Sequence, residues 1–357
     1  MLLYIGTYST RGSKGIYVYR LDTTSGALTP VGVAAGSPNN PSFLALHPNG
    51  KSLYAVGESS GAGDGGGPVV SFAVDPATGI PGLRNQQSSR GTGPCFLSLD
   101  REGKCALVAN YGGGSVAILP IGLEGQLLPA PAAIPLRGTL GPRKDRQDAP
   151  HGHAIQVDRD NRFAIAADLG QDRLFVYRFD AAKATLTPND PAGIATRPGA
   201  GPRHLAFHPT APYVFVINEL DSTLTSYRYA AAQGALTEIQ TISTVPDQAA
   251  GSNFPAEICV HPSGRFIYGS NRGRDSIVAF AVDPASGRLR LIGHFPTRGK
   301  NPRHFAIDPS GEFLIAANQD SDNLVVFRIQ SSTGNLAPTG ATADIPSPVC
   351  VCFAPGT

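Results

Sequence analysis

A unit of about 50 residues recurs along the whole of this 357-residue chain, and it constrains the fold more than any local motif does. Each copy opens with two alternating apolar runs around a turn, as in PSFLALHPNGKSLYAVGE and PRHLAFHPTAPYVFVINE. The copies begin at Pro41, Pro94, Gly152, Pro202, Pro255 and Pro302, which are 53, 58, 50, 53 and 47 residues apart. Such regular spacing indicates one structural unit repeated in a ring or a stack.

A seventh copy is divided between the two ends of the chain. The C-terminal segment PVCVCFAPGT begins at Pro348, 46 residues after the sixth start, and supplies the first run. The N-terminal segment MLLYIGTY supplies the second run. Because an open array would leave unpaired strand edges and an uncovered face, we expect the N-terminal strand to complete the last unit and close a ring.

Every unit continues with a third and a fourth run, such as RLFVYRFD and the residues after its turn. Alternation of β-branched and aromatic residues with a period of two is typical of strands. The chain has 42 glycines and 31 prolines for turns, and a hydrophobic fraction of 41% for a core. Four strands per unit predict an all-β fold, a seven-bladed β-propeller of four-stranded blades that forms a single domain over residues 1–357.

The charge pattern argues against several classes of partner. The net charge is +2, and the charged residues, 16% of the chain, form no basic or acidic run, so we expect neither nucleic acid nor a membrane as a partner. No apolar run approaches the roughly 18 residues of a membrane span, and the N-terminus lacks the pattern of a signal peptide. The five cysteines favour free thiols in a reducing compartment. We expect a cytoplasmic protein, either a monomer or a weak homodimer.

Motifs for cofactors are weak in this chain. The segment GAGDGG from Gly61 matches a dinucleotide fingerprint, but it lies between two strands and no helix follows it. We expect residues 61–67 and the insertion 136–150 to be surface loops. His151 and His153 lack a carboxylate cluster at ligand spacing, so we predict neither a metal nor another cofactor.

Two positions of the unit are expected to face one mouth of the central channel, because the first strand of each blade lines that channel. The residue after each start is Ser42, Cys95, His153, Arg203, Ala256, Arg303 or Val349. The residue at the end of the second run is Glu58, Tyr111, Leu169, Glu219, Arg272, Gln319 or Tyr8. Charged groups gathered at one mouth are costly to desolvate unless they pair or bind a ligand. The candidates for a functional site, with a structural ion-pair network as the alternative, are His153, Arg203, Glu219 and Arg272.

The chain resembles the lactonase family of seven-bladed propellers along essentially its whole length. The resemblance is carried by VANYGGGSV at Val108, APHGHA at Ala149, GPRHLAFHP at Gly201, SNRGRDSI at Ser270 and NPRHFAIDPSG at Asn301, among others. It implies a site built from a histidine, an arginine, a glutamate and a second arginine. These correspond to His153 or His151, Arg203, Glu219 and Arg272. Gly57 replaces the asparagine that the family usually has before Glu58.

The resemblance implies hydrolysis of a sugar lactone, 6-phosphogluconolactone to 6-phosphogluconate, a reaction of the pentose phosphate pathway. A small anionic lactone would be the partner, and no cofactor is implied. We assign acid/base work to His153 with Glu219, and charge stabilisation to Arg203 and Arg272. The expected substrate-binding residues are His151, Arg303, Asn110, Asn271 and Glu58. The alternatives are a carboxymuconate-type lactonizing enzyme, which closes a lactone, and a non-catalytic propeller that binds a protein or a carbohydrate.

Overall fold

The two ends of the chain form one blade, in a computed structural model that describes residues 1–60, 65–246 and 252–354. This blade, blade 7, contains β1 (Leu2–Thr7), β2 (Tyr17–Leu21), β3 (Leu28–Val33) and the C-terminal strand β28 (Pro348–Phe353). The strand order β28-β1-β2-β3 places the C-terminal strand first and the N-terminal strand second. Leu3 pairs with Phe353 and Ile5 with Val351, so the last unit is completed as predicted.

The other blades follow in chain order. Blade 1 contains β4 (Phe43–Leu46), β5 (Ser52–Val56), β6 (Pro68–Val74) and β7 (Pro81–Ser88). Blade 2 contains β8 (Pro94–Leu99), β9 (Cys105–Asn110), β10 (Ser115–Pro120) and β11 (Ala133–Pro135). Blade 3 contains β12 (Gly152–Val157), β13 (Phe163–Asp168), β14 (Arg173–Asp180) and β15 (Thr185–Ala195). Blade 4 contains β16 (Pro202–Phe207), β17 (Tyr213–Asn218), β18 (Thr223–Ala230) and β19 (Ala235–Ser243).

Blade 5 contains β20 (Phe254–Val260), β21 (Phe266–Arg272), β22 (Ser276–Val282) and β23 (Leu289–Pro296). Blade 6 contains β24 (Pro302–Ile307), β25 (Phe313–Asn318), β26 (Asn323–Ile329) and β27 (Leu336–Asp344), with a short 3-10 helix at Gln319–Ser321. Within the described ranges the strands thus form seven four-stranded antiparallel sheets, which confirms the predicted all-β seven-bladed propeller.

Burial falls from the inner strands of each blade to the outer one. The second strands, such as β9 and β17, are buried along their whole length, whereas the fourth strands, such as β27, alternate or are mostly exposed. A strand covered on both faces is apolar without interruption, which explains sequences such as YVFVI in blade 4. The core is therefore a ring of contacts between neighbouring blades.

A bulge interrupts the first strand of six described blades, blades 2 to 7, near its start. In blade 4, Pro202 pairs with Asn218 and His204 pairs with Ile217, so Arg203 has no partner across the strand. A bulge re-aims the side chain that it releases. As a result, two consecutive residues, here Arg203 and His204, both direct their side chains into the channel, where they contact each other.

The two predicted loops have different outcomes. Residues 61–64 lie outside the described part of the chain. Residues 65–67 form a loop that leads into β6, but Gly66 and Gly67 are buried, so this end of the loop is not at the surface. The insertion 136–150 contains no strand, but it is not wholly at the surface. Gln147 is buried, and its side-chain amide donates a hydrogen bond to the carbonyl of Leu169 at 2.9 Å. The insertion is therefore fixed against blade 3.

Three histidines, His47, His208 and His261, directly precede the turns between the first and second strands of their blades. Each ring contacts a glycine carbonyl in the turn of the next blade, at 3.1, 3.0 and 2.9 Å. These contacts link neighbouring blades. No helix in the described residues is long and apolar enough to cross a membrane.

The packing of the closing blade predicts the effect of a mutation in β1. Ile5 is fully buried and packs with Phe313 and Val351. Ile5→Ala should lower the free energy of unfolding by about 2–5 kcal/mol, because it leaves a cavity where the ring closes. Urea unfolding followed by circular dichroism measures this. The control is Leu123→Ala at a fully exposed position, for which we expect a change below about 0.5 kcal/mol. Similar losses for both variants would contradict the packing of blade 7.

Candidate functional site at the channel mouth

Glu219 is the centre of the charged groups at the mouth. It follows β17 and is bound by arginines from three different parts of the chain. Its Oε2 accepts from Nε of Arg203 at 3.0 Å and from Nη2 of Arg272 at 2.7 Å. Its Oε1 accepts from Nη2 of Arg146 at 2.5 Å. The side chains of Glu219 and Arg203 are only 4% and 3% exposed, so this is a buried charge cluster.

The protonation state of Glu219 follows from these contacts. Burial alone would raise the pKa of its carboxyl, but the charges of Arg272, Arg203 and Arg146 outweigh burial and hold the pKa well below the ordinary value. Burial lowers the pKa of Arg272 to about 10, which still leaves the guanidinium charged near neutral pH. A carboxylate held by three guanidinium groups is a poor base and has no proton to donate.

His153 lies beside this cluster in blade 3 and is 4% exposed. Burial, assisted by the charge of Arg203, lowers its pKa well below the ordinary value, so the imidazole is neutral near neutral pH. Its Nδ1 lies 3.7 Å from Sγ of Cys95, whose own pKa is raised by burial, so that neighbour remains a thiol. Within the described residues Nε2 forms no hydrogen bond. A neutral imidazole with one uncommitted nitrogen can accept a proton.

Arg303 and Glu58 form a second charged group at the same mouth. The Arg303 guanidinium lies 5.3 Å from the centre of the Tyr8 ring, and its closest approach to the Glu58 carboxylate is 3.9 Å. The Tyr8 hydroxyl donates to both carboxylate oxygens of Glu58, at 3.2 and 3.1 Å. Although burial would lower the pKa of Arg303, Tyr8 and Glu58 raise it. Arg303 forms no hydrogen bond within the described residues, which leaves its guanidinium able to bind an anion.

Three buried side chains form the floor of the mouth: His204, Glu257 and His304. The ring of His204 lies 5.1 Å from that of His153 and 5.0 Å from that of Phe96, between centroids. Beyond this floor a cavity of about 720 Å³, lined by Phe43, Phe96, Leu205 and Glu257 among others, extends along the channel toward the opposite face. The floor therefore separates the mouth from the rest of the channel.

His151 lies at the rim rather than inside the mouth. Its ring stacks on Tyr111 with centroids 4.3 Å apart, its Nδ1 contacts the carbonyl of Tyr111 at 3.1 Å, and its Nε2 contacts Asp148 at 3.2 Å. Both ring nitrogens are thus occupied. Of the two histidines, His153 is the one that adjoins the arginines.

Asn110 and Asn271, expected to bind substrate, are fully buried. The amide of Asn110 donates to Ser115 and to the carbonyl of Ser89, and that of Asn271 donates to the carbonyl of Thr244 at 2.8 Å. Both carbonyl partners belong to the segment before the blade's first strand, so these amides join the blade to the preceding one. A side chain without access to the channel cannot contact a substrate there, and we reassign both residues to blade packing.

Four residues of the mouth and its floor were not among the sequence candidates: Arg146, His204, Glu257 and His304. Arg146 comes from the insertion 136–150, which has no position in the repeat. Its guanidinium also lies over the ring of Phe254, 5.6 Å from the ring centre. The other three are the third residue of their copies. A signal existed for His204 and His304, because the tripeptide Pro-Arg-His occurs at the start of both the fourth and the sixth copy, whereas Glu257 lies in Pro-Ala-Glu.

Among the residues that the structure describes, no group of three or more His, Cys, Asp or Glu side chains is arranged to hold a metal ion. At the floor of the mouth, where two histidines and a glutamate meet, ring nitrogens and carboxylate oxygens are already engaged in hydrogen bonds.

Fold and site together define a seven-bladed propeller with one charged channel mouth, where four arginines outnumber two glutamates beside a neutral histidine. A family model described as "Lactonase, 7-bladed beta-propeller" matches residues 2–353. The chain belongs to the lactonase family of seven-bladed β-propellers, which confirms the family predicted from the sequence.

Several relatives match along nearly the whole chain. A 6-phosphogluconolactonase of Bacillus subtilis is 36% identical over 350 residues, 98% of this chain and 97% of that protein. A 6-phosphogluconolactonase of Formosa agariphila is 35% identical and covers 85% of each chain. The solved structure of a periplasmic gluconolactonase of Pseudomonas aeruginosa superposes with a TM-score of 0.91, with 34% identity and 99% of both chains covered.

The three arginines around Glu219 predict a pH-dependent contribution to stability. Glu219→Gln should lower the free energy of unfolding at pH 7 by about 3–5 kcal/mol, because three buried guanidinium groups lose their counter-charge. Since the folded state lowers the pKa of Glu219, this contribution is complete above the ordinary value of 4.5 and is lost as the pH falls below it. The difference between wild type and variant should therefore narrow below about pH 4.

Urea unfolding at pH 7, 5, 4 and 3 measures this difference. The control is Glu312→Gln, since Glu312 pairs with Arg328 at 3.3 Å on the surface. We expect that control to change stability by less than about 1 kcal/mol at every pH. A loss for Glu219→Gln that is small, or that stays constant down to pH 3, would contradict the buried charge cluster.

Proposed function

We propose that the chain hydrolyses a phosphorylated sugar lactone, 6-phosphogluconolactone, to 6-phosphogluconate. The observation that supports this most directly is the neutral His153, whose pKa is lowered by burial and by the charge of Arg203, at the mouth where the ionised Glu219 binds both Arg203 and Arg272. Ester hydrolysis needs a proton acceptor for water and cations where negative charge develops. Relatives named 6-phosphogluconolactonase match nearly the whole chain and support this substrate.

In the proposed reaction His153 acts as the general base. Water attacks the lactone carbonyl carbon while Nε2 of His153 takes its proton, which forms a tetrahedral oxyanion. The bond from the carbonyl carbon to the ring oxygen then breaks, and the protonated His153 returns the proton to that oxygen. The product is a carboxylic acid with a free hydroxyl, and the acid ionises at neutral pH. These steps use water and protein groups alone.

The two arginines stabilise the oxyanion. Arg203 is anchored through Nε to Glu219 and through Nη1 to the carbonyl of Ala256 at 2.7 Å. Arg272 is anchored through Nε to the carbonyl of Phe254 at 2.9 Å and through Nη2 to Glu219. Nη2 of Arg203 and Nη1 of Arg272 form no hydrogen bond within the described residues. Such fixed donors need no reorganisation as the charge develops, which is the condition for strong electrostatic stabilisation.

Glu219 has a different role in this proposal from the acid/base role that the sequence suggested. With its pKa held low by three arginines, it cannot exchange a proton during turnover. Its function is to hold the guanidinium groups in place and to balance part of their charge. His153 alone then carries the proton transfers.

The excess of positive charge supports an anionic substrate. Four guanidinium groups lie near the carboxylates of Glu219 and Glu58 at the mouth and that of Glu257 at its floor, which leaves an excess of positive charge for a phosphate group. Arg303, on the side of Tyr8 and Glu58, forms no hydrogen bond within the described residues, and its closest carboxylate oxygen lies 3.9 Å away. We assign the phosphate to Arg303 and the reacting carbonyl to Arg203 and Arg272.

The proposal includes a cytoplasmic location, with the protein a monomer or a weak homodimer. The five cysteines are all unpaired in the described residues, which supports a reducing compartment. The Pseudomonas aeruginosa relative is periplasmic, so this part rests on the cysteines and not on the family.

The mechanism predicts a large loss of activity without His153. His153→Gln should lower kcat/KM for 6-phosphogluconolactone by about 10²–10⁴-fold, the usual contribution of a general base. Because the pKa of His153 lies well below 6.5, kcat/KM of the wild type should stay constant from pH 8 down to pH 6 and fall only under more acidic conditions. The assay follows freshly prepared lactone, with spontaneous opening subtracted at each pH.

The control for this experiment is His208→Gln, a buried turn histidine at the opposite face, which should retain wild-type kcat/KM. Wild-type activity in His153→Gln would contradict the assignment of the base. If the wild type closes a carboxymuconate and does not open the phosphogluconolactone, the protein is a lactonizing enzyme. If it converts neither of these nor glucono-δ-lactone, the result favours a binding scaffold.

The assignment of the phosphate predicts a change of substrate preference. Arg303→Gln should raise KM for 6-phosphogluconolactone by about ten- to a hundredfold, because a charge-assisted hydrogen bond is lost. KM for glucono-δ-lactone, which has no phosphate, should change less than about twofold if Arg303 binds only that group. Steady-state kinetics on both lactones measure the ratio, and Arg328→Gln at the surface is the control. Equal losses on both substrates would contradict the assignment.

A further inference from the structure

The proposed hydrolysis does not use the buried cluster of ionisable side chains at the floor of the mouth, formed by His204, Glu257 and His304. Nδ1 of His204 lies 3.0 Å from Oε2 of Glu257, and Nε2 of His304 lies 3.1 Å from the same oxygen. These three side chains are 3%, 8% and 9% exposed. A buried carboxylate between two histidines is costly to desolvate unless every contact is a satisfied hydrogen bond.

The proton positions of His204 and His304 follow from obligate donors at their outer nitrogens. Nε2 of His204 lies 3.2 Å from Nη1 of Arg203, and a guanidinium nitrogen can only donate. Nδ1 of His304 accepts from the backbone N–H of Val351 at 3.2 Å. Each neutral imidazole therefore carries its proton on the other nitrogen. His204 has Nδ1–H, His304 has Nε2–H, and both donate to Glu257.

Burial raises the pKa of the Glu257 carboxyl, but three hydrogen-bond donors surround its oxygens and favour the ionised form in this arrangement. Its Oε2 accepts from both histidines, and its Oε1 accepts from the backbone N–H of Ile258 at 2.9 Å. Burial lowers the pKa of His204 well below its ordinary value and that of His304 to about 4, so both rings are neutral. The ring of His204 thus lies between the negative Glu257 and the positive Arg203. It donates to Glu257 through Nδ1 and accepts from Arg203 through Nε2, which only one of its two neutral tautomers can do.

We propose that Glu257 is a positioning residue for Arg203. Its carboxylate holds the Nδ1–H tautomer of His204, so that Nε2 of His204 remains an acceptor for Arg203, and His304 holds the carboxylate from the other side. This inference rests on the proposed function, in which Arg203 stabilises the oxyanion. Arg203 then has three anchors, Glu219, the carbonyl of Ala256 and His204, and its Nη2 remains for the substrate.

The other tautomer of His204 would be incompatible with this position of Arg203. A proton on Nε2 would face an N–H of the guanidinium at 3.2 Å, with two donors and no acceptor. The ring or the guanidinium would then have to move. Because donors stabilise an oxyanion only within a narrow range of positions, a shift of about 1 Å is enough to lower turnover strongly.

The test uses two substitutions of Glu257 in the full-length protein. Glu257→Gln keeps the shape, but whichever way its amide lies, the NH₂ group faces at least one N–H donor. Glu257→Leu removes both acceptors. We expect kcat for 6-phosphogluconolactone to fall in the order wild type, Gln, Leu, by about ten- to a hundredfold for Leu. KM should change less than kcat, since Arg303 binds the phosphate.

A double-mutant cycle with Arg203→Ala distinguishes a positioning role of Glu257 from a merely structural one. If Glu257 acts through Arg203, Glu257→Leu should lower kcat no further once Arg203 is alanine. A structural role would reduce kcat by a similar factor in both backgrounds. His261→Gln is the matched control, because His261 is also a buried histidine that binds a carbonyl, that of Gly311, but at the opposite face. It should leave kcat unchanged.

Imidazole nitrogen NMR of the wild type tests the arrangement without any activity. At pH 7 His204 should be neutral with its proton on Nδ1, and His304 neutral with its proton on Nε2. A proton on Nε2 of His204, a charged His204, or additive effects in the cycle would overturn the proposal. A wild type that opens no lactone would instead contradict the proposed function, and the NMR spectrum would still decide the positioning of Arg203.

Discussion

Closure of the ring is the constraint on which the rest of the structure depends. β1 supplies the second strand of the blade that β28 begins, so the first and last segments of the chain share one sheet. Each blade then has a neighbour on both sides. Both faces of its second strand are therefore covered and can be apolar. Closure also fixes the distances across the channel, which is why residues more than 120 positions apart, Arg146 and Arg272, can bind one carboxylate.

The bulges in the first strands bring the side chains of the candidate site into the channel. In a regular strand, neighbouring side chains point to opposite faces, so only one of Arg203 and His204 would reach the channel. The bulge at Arg203 turns both inward, one toward the mouth and the other toward the floor. Because the same shift recurs in six described blades, the channel has two layers of side chains at this end. The upper layer meets the substrate in our proposal, and the lower layer supports it.

The sequence was sufficient for the fold and for the upper layer, and insufficient for the lower one. The repeat is visible as six similar starts, and its register places His153, Arg203, Glu219 and Arg272 at one mouth before any coordinates are known. Bulges leave no trace in the alternation of apolar residues, so His204 and Glu257 read as interior positions. Arg146 lies in an insertion outside the repeat. The role of Glu219 follows from its distances to three arginines, and these distances cannot be read from spacing along the sequence.

The two halves of the mouth differ in how firmly the protein holds its cations. Arg203 and Arg272 are bound by carboxylate and carbonyl oxygens, and they can neither move nor be replaced by lysine without loss of a bidentate or multiple contact. Arg303 has only a ring face and a distant carboxylate. Stabilisation of the oxyanion requires donors that are fixed in position. Binding of a substituent such as a phosphate can use a guanidinium group that adjusts its position. In our proposal, reactivity toward the lactone therefore resides around Glu219, and selection among lactones around Arg303, Tyr8 and Glu58.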